Sequence, residues 1–399
     1  MQDWDRTRRN IFLIIIIIII LLLGYAFYRL LLSQPTSLIP GASPQAPVSG
    51  SVGLQGYALE TPEVPNVTPL PSPLAGLQDK IKEQTLLALT DFSAVSPIIN
   101  KNQDKVLLYK KDGGNIYAVD FAANQQKISN ITIVGLTEAN WSPLKDRAAV
   151  FYIDGDVLKS FLHIGTSSVT ALARDIKSLA WSPDGKQFAY LLQNSDQLSL
   201  VIADASGKNS RQVSTTPILD AQIQWISADM ISMQTAPSGR ASGFVFLYSL
   251  KTGTLRRVLG PLAGLTTLWS PDASHLLVST TNGGGKNLTF LLYDASGAKL
   301  RQFDFLTLPQ KCVWTSAKDF YCAVPERFPN QAVMPDDYLR GEVVTQDRIL
   351  SYNIDTSKTG LIFSGGAMDM DNLAVTKKKD YLIFVNRVDG ILWRLKLVQ

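Results

Sequence analysis

The arrangement of apolar and polar residues sets the first stretch of the chain apart from the rest. Residues 11–28 contain no charged residue and include seven consecutive Ile followed by three Leu, and apolar residues continue to Leu32 beyond Arg29. About 17–25 apolar residues suffice to cross the hydrocarbon core of a bilayer. A helix satisfies its own backbone hydrogen bonds there, so we predict a transmembrane helix over residues 11–32.

The basic residues around this helix predict its orientation. Arg6, Arg8 and Arg9 precede the apolar run, whereas the next basic residue after Arg29 is Lys80. The positive-inside rule then places residues 1–10 in the cytoplasm and the remainder outside it, in a single-pass protein of the cell membrane. A cleaved signal peptide is the alternative. The run is longer than a usual signal-peptide core and no Ala-x-Ala site follows, which favours an uncleaved signal anchor.

A proline-rich stretch follows the predicted helix. Residues 33–79 contain nine prolines, and Gly, Ser and Ala supply much of the rest. Such a composition buries too little apolar surface to offset the entropy of ordering, so we predict a disordered linker. A flexible chain of this length spans on the order of 40 Å, more if proline stiffens it.

Alternating apolar and polar residues dominate the remainder, and a tryptophan-centred pattern repeats within it. Segments such as 187–192 and 198–204 alternate and are bounded by Gly, Asp and Ser, which is typical of strands and hairpins. The repeating tryptophans are 40, 44, 44 and 45 residues apart, which matches the period of one four-stranded propeller blade. We predict that they pack between blades: Trp141, Trp181, Trp225, Trp269 and Trp314.

Weaker copies of the unit flank these five. One begins near Val95, and the last, near Leu373, supplies only three strands before the sequence ends. We predict that residues 84–90 become the outer strand of the last blade and close the array. The predicted fold is an all-β, seven-bladed β-propeller over residues 80–399, although six or eight blades would also fit the weak terminal copies.

One repeat also resembles a known family. The segment from Trp181-Ser182-Pro183-Asp184-Gly185 to Leu192 is similar to the WD40-like repeat of TolB-type propellers. The resemblance extends over roughly residues 84–399. It implies an extracytoplasmic platform that binds other proteins. The copies at Trp141, Trp225 and Trp314 lack the full Pro-Asp-Gly turn, so no residue roles are carried over to them, and the membrane anchor differs from secreted TolB.

The two cysteines fit this compartment. Cys312 and Cys322 flank a segment that can form a hairpin, in which they would face each other at a distance compatible with a disulfide. An exported domain is also where disulfides persist. We therefore predict a bond between them, with a reduced buried pair as the alternative.

An insertion interrupts the repeat after Cys322. Residues 325–346 are too long for an ordinary hairpin, and long insertions in compact domains are often functional. The alternative is a loop without a function of its own that packs over the edge of a blade. The residues predicted to contact a partner are Arg327, Phe328, Asp336, Asp337, Tyr338 and Arg340.

Charge and motifs narrow the function. A net charge of +4, with scattered basic residues, does not predict a nucleic-acid partner. We identify no catalytic, cofactor or metal site: there is no Gly-x-Ser-x-Gly motif, and 283–286, 154–156 and 369–372 fit turns better than phosphate or calcium loops. We expect a scaffold module that binds a protein or cell-wall component. The alternative is a hydrolase or lyase with its site in the central channel.

Overall fold

The computed structural model describes residues 86–397. The predicted cytoplasmic segment, transmembrane helix and linker (1–10, 11–32 and 33–79) lie outside these residues. Within them the regular secondary structure is almost entirely β-strand, and the exceptions are a 3-10 turn at Pro309–Lys311 and one short helix, α1, at Asp336–Leu339. No helix between residues 86 and 397 is long and apolar enough to span a bilayer.

The described residues contain twenty-seven strands in six antiparallel sheets, and in five of these sheets the strands lie in chain order. Five sheets have four strands each; the first consists of β5 (Leu136–Trp141), β6 (Arg147–Asp154), β7 (Val157–Ile164) and β8 (Ser168–Ala171), and the second of β9 (Ile176–Trp181), β10 (Gln187–Asn194), β11 (Gln197–Asp204) and β12 (Arg211–Thr216). The third consists of β13 (Gln222–Ser227), β14 (Met230–Gln234), β15 (Ser242–Ser249) and β16 (Leu255–Ala263), and the fourth of β17 (Thr266–Trp269), β18 (His275–Thr280), β19 (Thr289–Asp294) and β20 (Lys299–Gln302). The fifth consists of β21 (Cys312–Trp314), β22 (Asp319–Pro325), β23 (Asp347–Asn353) and β24 (Lys358–Ser364).

The sixth sheet joins the two ends of the described chain. It has seven strands in the order β25 (Met370–Val375), β26 (Tyr381–Asn386), β27 (Ile391–Lys396), β1 (Leu86–Ile99), β2 (Lys105–Lys110), β3 (Ile116–Asp120) and β4 (Gln125–Lys127). The first half of β1 pairs with β27, with Leu86 opposite Leu395, and its second half pairs with β2, with Ile99 opposite Val106. Divided within β1, this sheet contributes two four-stranded units. The prediction that the segment at 84–90 joins the last unit is confirmed for its described residues.

The hydrophobic core lies between the faces of consecutive sheets. Leu200 of the third unit and Met233 of the fourth belong to one buried cluster. Phe151 of the second unit and Phe188 of the third belong to another. The first strands of several units also contact one another, among them β1 with β5, β9 with β13 and β21 with β25. Each unit therefore buries its faces against its neighbours, as expected of a propeller-like fold.

Four of the repeating tryptophans link consecutive units by hydrogen bonds. Each indole N–H donates to a residue of the preceding unit: Trp141 to the Ser96 carbonyl (2.8 Å), Trp181 to the Asn140 carbonyl (2.9 Å), Trp269 to Ser232 Oγ (2.9 Å) and Trp314 to the Leu268 carbonyl (3.4 Å). The fifth, Trp225, is buried, and its indole nitrogen has no hydrogen-bond partner.

The predicted disulfide is confirmed. Cys312 of β21 pairs with Cys322 of β22 across the sheet, and Trp314 pairs with Phe320, as the hairpin pattern required. The sulfur atoms are 2.04 Å apart. The bond therefore closes the hairpin directly before the insertion.

Candidate functional site

The insertion occupies residues 326–346, because Pro325 is the last residue of β22 and Asp347 the first of β23. Part of it is folded around its own small core. Tyr338 and Met334 are 1% and 3% exposed, and they pack with Leu288 and Leu308 of the surrounding structure. The insertion is therefore an ordered element anchored by apolar contacts.

Hydrogen bonds tie the insertion to the hairpins of two preceding units. The Asp336 carboxylate accepts bonds from Ser238 Oγ (3.1 Å) and from the Gly239 N–H (2.6 Å), both in the β14–β15 connection. The Met334 N–H donates to the Gly285 carbonyl at 2.8 Å, in the β18–β19 connection. Lys286 donates to the main-chain carbonyls of 330–332. The glycine-rich segment 283–286 is thus a hairpin, as predicted, and its lysine holds the insertion.

A buried lysine contacts the insertion from the interior of the protein. Lys311 is fully buried, and its Nζ lies 2.8 Å from Asp347 Oδ2 and 2.6 Å from Asp369 Oδ1. It also donates to Tyr338 Oη (2.9 Å) and to Thr345 Oγ1 (3.2 Å). Buried charges are tolerated only when they are paired and hydrogen-bonded, and this lysine meets both conditions.

The two carboxylates beside Lys311 are held differently. Asp369 also accepts hydrogen bonds from Tyr338 Oη (3.1 Å) and Thr345 Oγ1 (3.0 Å), and it pairs with Arg387 at 3.3 Å. Burial alone would raise the pKa of Asp369, but Lys311 and Arg387 outweigh burial and leave this pKa lowered. For Asp347 burial dominates and raises the pKa.

Tyr338 connects this ionic cluster to the insertion. The Arg387 guanidinium lies 3.9 Å from the centre of its ring and donates to its main-chain carbonyl at 2.8 Å. Burial raises the pKa of the Tyr338 hydroxyl, and the neighbouring carboxylates raise it further, so this hydroxyl stays protonated. The cluster thus joins the insertion to the β24–β25 connection (Asp369) and to the β26–β27 connection (Arg387).

The six residues predicted to contact a partner fall into two groups. Arg327 and Arg340 are exposed, and Phe328 is half-buried. Asp336, Asp337 and Tyr338 have internal contacts instead: Asp337 accepts from the Val333 N–H at 2.6 Å and pairs with Arg340, and Tyr338 is buried. The second group shapes the insertion, and the first group lies on its surface.

Sequence reasoning missed the ionic cluster. The interpretation of 369–372 as a simple turn is wrong for Asp369, whose carboxylate is fully buried and ion-paired. The members of the ionic cluster come from distant parts of the sequence, so no local spacing indicates them. One available signal was Lys311 itself, a charged residue directly before a cysteine expected to be buried.

Exposed apolar side chains accompany the insertion. In an antiparallel four-stranded sheet, the connection between the second and third strands lies at the same end as the connection to the next sheet. Val344 (60% exposed), Leu339 (49%), Val388 (61%) and Leu306 (43%) all lie in the insertion or in connections at this end. We call this end the insert face. A groove of about 850 Å³ also lies there, lined by residues 326–331 and 344–346.

A second cavity lies against the first strands of three units. It has a volume of about 390 Å³ and polar walls that include Asn140, Gln222, Gln224 and Gln234. Its ionisable lining residues are Glu138 and Lys177, on β5 and β9. Desolvation by the surrounding strands raises the pKa of the Glu138 carboxyl.

The histidines and acidic residues of the described chain form no metal centre. Between residues 86 and 397, no group of three or more His, Cys, Asp or Glu side chains could hold a metal ion. His163 is buried, and its Nδ1 forms a hydrogen bond with Tyr109 Oη at 2.9 Å. Burial lowers the pKa of His163.

Comparisons with known proteins support the fold. No protein-family model and no curated protein matches the sequence. An oligogalacturonate lyase in complex with manganese superposes with a TM-score of 0.54 at 12% identity, over 79% of this chain and 93% of that one. A streptogramin B lyase structure gives 0.53 at 11% identity, over 80% and 99%. A putative TolB from Agrobacterium tumefaciens gives 0.40 at 13%, over 56% and 88%.

At such low identity the two lyase structures establish the fold alone, an all-β, propeller-like arrangement of four-stranded sheets.

Proposed function

We propose that this chain is a membrane-anchored, extracytoplasmic propeller of seven blades that binds another protein through its insert face. The single observation that carries the proposal is the support of the insertion. A buried ion cluster and hydrogen bonds to several neighbouring connections fix it. Ordering a surface segment in this way costs conformational entropy, and a loop that only closes a hairpin has no need of it.

The surface chemistry of the insert face suits a protein partner. Exposed Leu339 directly precedes exposed Arg340 in the sequence, and exposed Val344 lines the same groove as exposed Arg327. Apolar anchors with arginines around them are typical of protein interfaces, in which a few residues supply most of the binding energy. A rigid frame also spares the partner the cost of ordering the loop on binding.

Recovery of partners from solubilised membranes tests the proposal. Deleting the insertion would remove buried Tyr338 and damage the fold, so surface substitutions are the better probe. We expect Leu339→Asp combined with Val344→Asp to lower recovery of a specific partner about tenfold or more. The matched control is Leu255→Asp combined with Leu300→Asp, at similarly exposed positions on β16 and β20. Equal recovery from both double variants would contradict the proposal.

The anchor requires a separate test. Residues 11–32 support it by their length and by the arginines before them. We expect the full chain to remain in the membrane pellet after alkaline carbonate extraction, and external protease to reach the C-terminal domain in intact cells. Release into the supernatant, or protection from external protease, would refute the anchor or its orientation.

The second cavity favours one other candidate function, that of a hydrolase or lyase acting in the channel. A carboxyl with a raised pKa and a lysine in one cavity can supply an acid and a base, and Glu138 and Lys177 both line this cavity. If this function holds, Glu138→Gln abolishes turnover of a channel substrate while leaving partner recovery through the insert face unchanged.

A further inference from the structure

Three reactive groups meet in the interior beneath the insertion. The Lys311 amine lies 2.8 Å from the Asp347 carboxyl and 2.6 Å from the Asp369 carboxyl, and all three side chains have 0% exposure. Oδ2 is bonded to Cγ at about 1.2 Å, so the amine nitrogen lies no more than about 4 Å from the Asp347 carboxyl carbon. A nucleophile at that range is close to a reactive approach distance.

The two carboxyls are suited to different roles. Asp369 has a partner on each oxygen and stays ionised, because Lys311 and Arg387 lower its pKa. Asp347 differs: its Oδ1 is buried without any hydrogen-bond partner, whereas Oδ2 accepts the Met370 N–H at 2.7 Å. An unpaired oxygen in a buried site is costly for a carboxylate, so burial favours the neutral acid, which is the form that can acylate an amine.

We propose that Lys311 and Asp347 join through a covalent isopeptide bond, with Asp369 as the catalytic base. Transfer of one proton within the Lys311–Asp347 pair gives a neutral amine and a carboxylic acid. Lys311 Nζ attacks Cγ of Asp347, Asp369 takes a proton from Nζ, and that proton passes to Oδ1. The Nζ–Cγ bond forms, the Cγ–Oδ1 bond breaks and one water leaves, with no oxidation or reduction.

The surroundings assist each part of this step. The Met370 N–H is placed to stabilise negative charge that develops on Oδ2, as an oxyanion-hole donor does. Tyr338 and Thr345 hold Asp369 in position against the amine. Complete burial excludes the water that would reverse the reaction. The bond would fix the base of the insertion to the segment before β21.

Peptide mapping of the full-length wild-type protein tests the proposal. After reduction of the disulfide, trypsin cannot cleave at an acylated Lys311. The expected major species is a branched peptide in which residues 302–318 are joined to 341–348, lighter than the sum of its two parts by one water. Cleavage after Lys311, with free 341–348 in matching yield, would overturn the inference.

An internal control and two variants complete the test. Lys318 and Asp355 lie 2.7 Å apart but are about half exposed, so this pair must remain uncrosslinked in the same digest. Lys311→Arg abolishes the branched species. Asp369→Asn keeps both joined residues yet removes the base, so the branched fraction falls at least about tenfold. An undiminished branched fraction in soluble, folded Asp369→Asn would reject Asp369 as the base.

Discussion

Lys311 and Tyr338 meet inside the protein, with the lysine donating to the tyrosine hydroxyl at 2.9 Å. Lys311 directly precedes β21, and Tyr338 lies in α1 at the centre of the insertion. The same hydroxyl donates a hydrogen bond to Asp369 at 3.1 Å. This contact anchors the insertion to the interior of the protein.

Replacing Tyr338 with Phe tests how much this contact stabilises the protein. The variant keeps the ring but removes the hydroxyl, leaving Lys311 and Asp369 each with one buried partner fewer. We expect a loss of about 1–3 kcal/mol in the free energy of unfolding, measured by urea denaturation. Tyr321→Phe, at a partly exposed position, is the control and should change stability far less. Equal losses would show that the hydroxyl contributes nothing specific.

The inter-unit tryptophans allow a paired comparison. Trp269 and Trp225 are both buried, but only Trp269 donates its indole N–H, to Ser232. Phe preserves most of the apolar surface and removes the N–H in each case. We therefore expect Trp269→Phe to destabilise the protein by about 1 kcal/mol more than Trp225→Phe, because it leaves Ser232 without its partner. Calorimetry of the two variants decides this, and the reverse order would contradict it.

The disulfide should contribute measurably to stability. Cys312 and Cys322 are separated by 10 residues in the sequence. Closing a loop of that size lowers the conformational entropy of the unfolded state, which stabilises the folded state by about 3 kcal/mol. We expect a double Cys→Ser variant to lose about that amount, and the wild type to lose it on reduction. An unchanged unfolding midpoint after verified reduction would rule out this contribution.

Asp204 should make stability depend on pH in acid. The side-chain hydrogen bond from Ser206 is the largest cause that lowers its pKa, from 3.8 to about 2, and the Lys208 N–H adds to it. Because the folded-state pKa lies below the unfolded one, its contribution is present above pH 3.8 and is lost as pH falls towards 2. Asp204→Asn should therefore reduce the difference in unfolding midpoint between pH 5 and pH 2. A variant as pH-sensitive as the wild type would refute this assignment.

The sequence predicted those features that recur along the chain. Strand alternation and the spacing of Trp181 and Trp269 located the units, and the incomplete last unit indicated that the strand beginning at Leu86 must complete it. The disulfide followed from hairpin pairing around Trp314. All of these depend on periodic or local patterns, which one sequence displays directly.

The support of the insertion could not be predicted in the same way. Lys311, Asp347 and Asp369 are brought together only by the packing of the sixth and seventh units, and no spacing rule connects them. Tyr338 was predicted to contact a partner from the surface, whereas the structure buries it, because its aromatic ring and hydroxyl fit a buried hydrogen-bonded position as well as a surface contact. Deciding between these needs the fold.

Site-specific photocrosslinking in native membranes tests the central proposal, that the insert face binds a protein partner, most directly. A photoreactive amino acid at Val344, which is 60% exposed, should give one discrete crosslinked protein. The same amino acid at Leu255, on β16, should give none. A discrete product from Leu255 with none from Val344, or no product from either, would contradict the proposal.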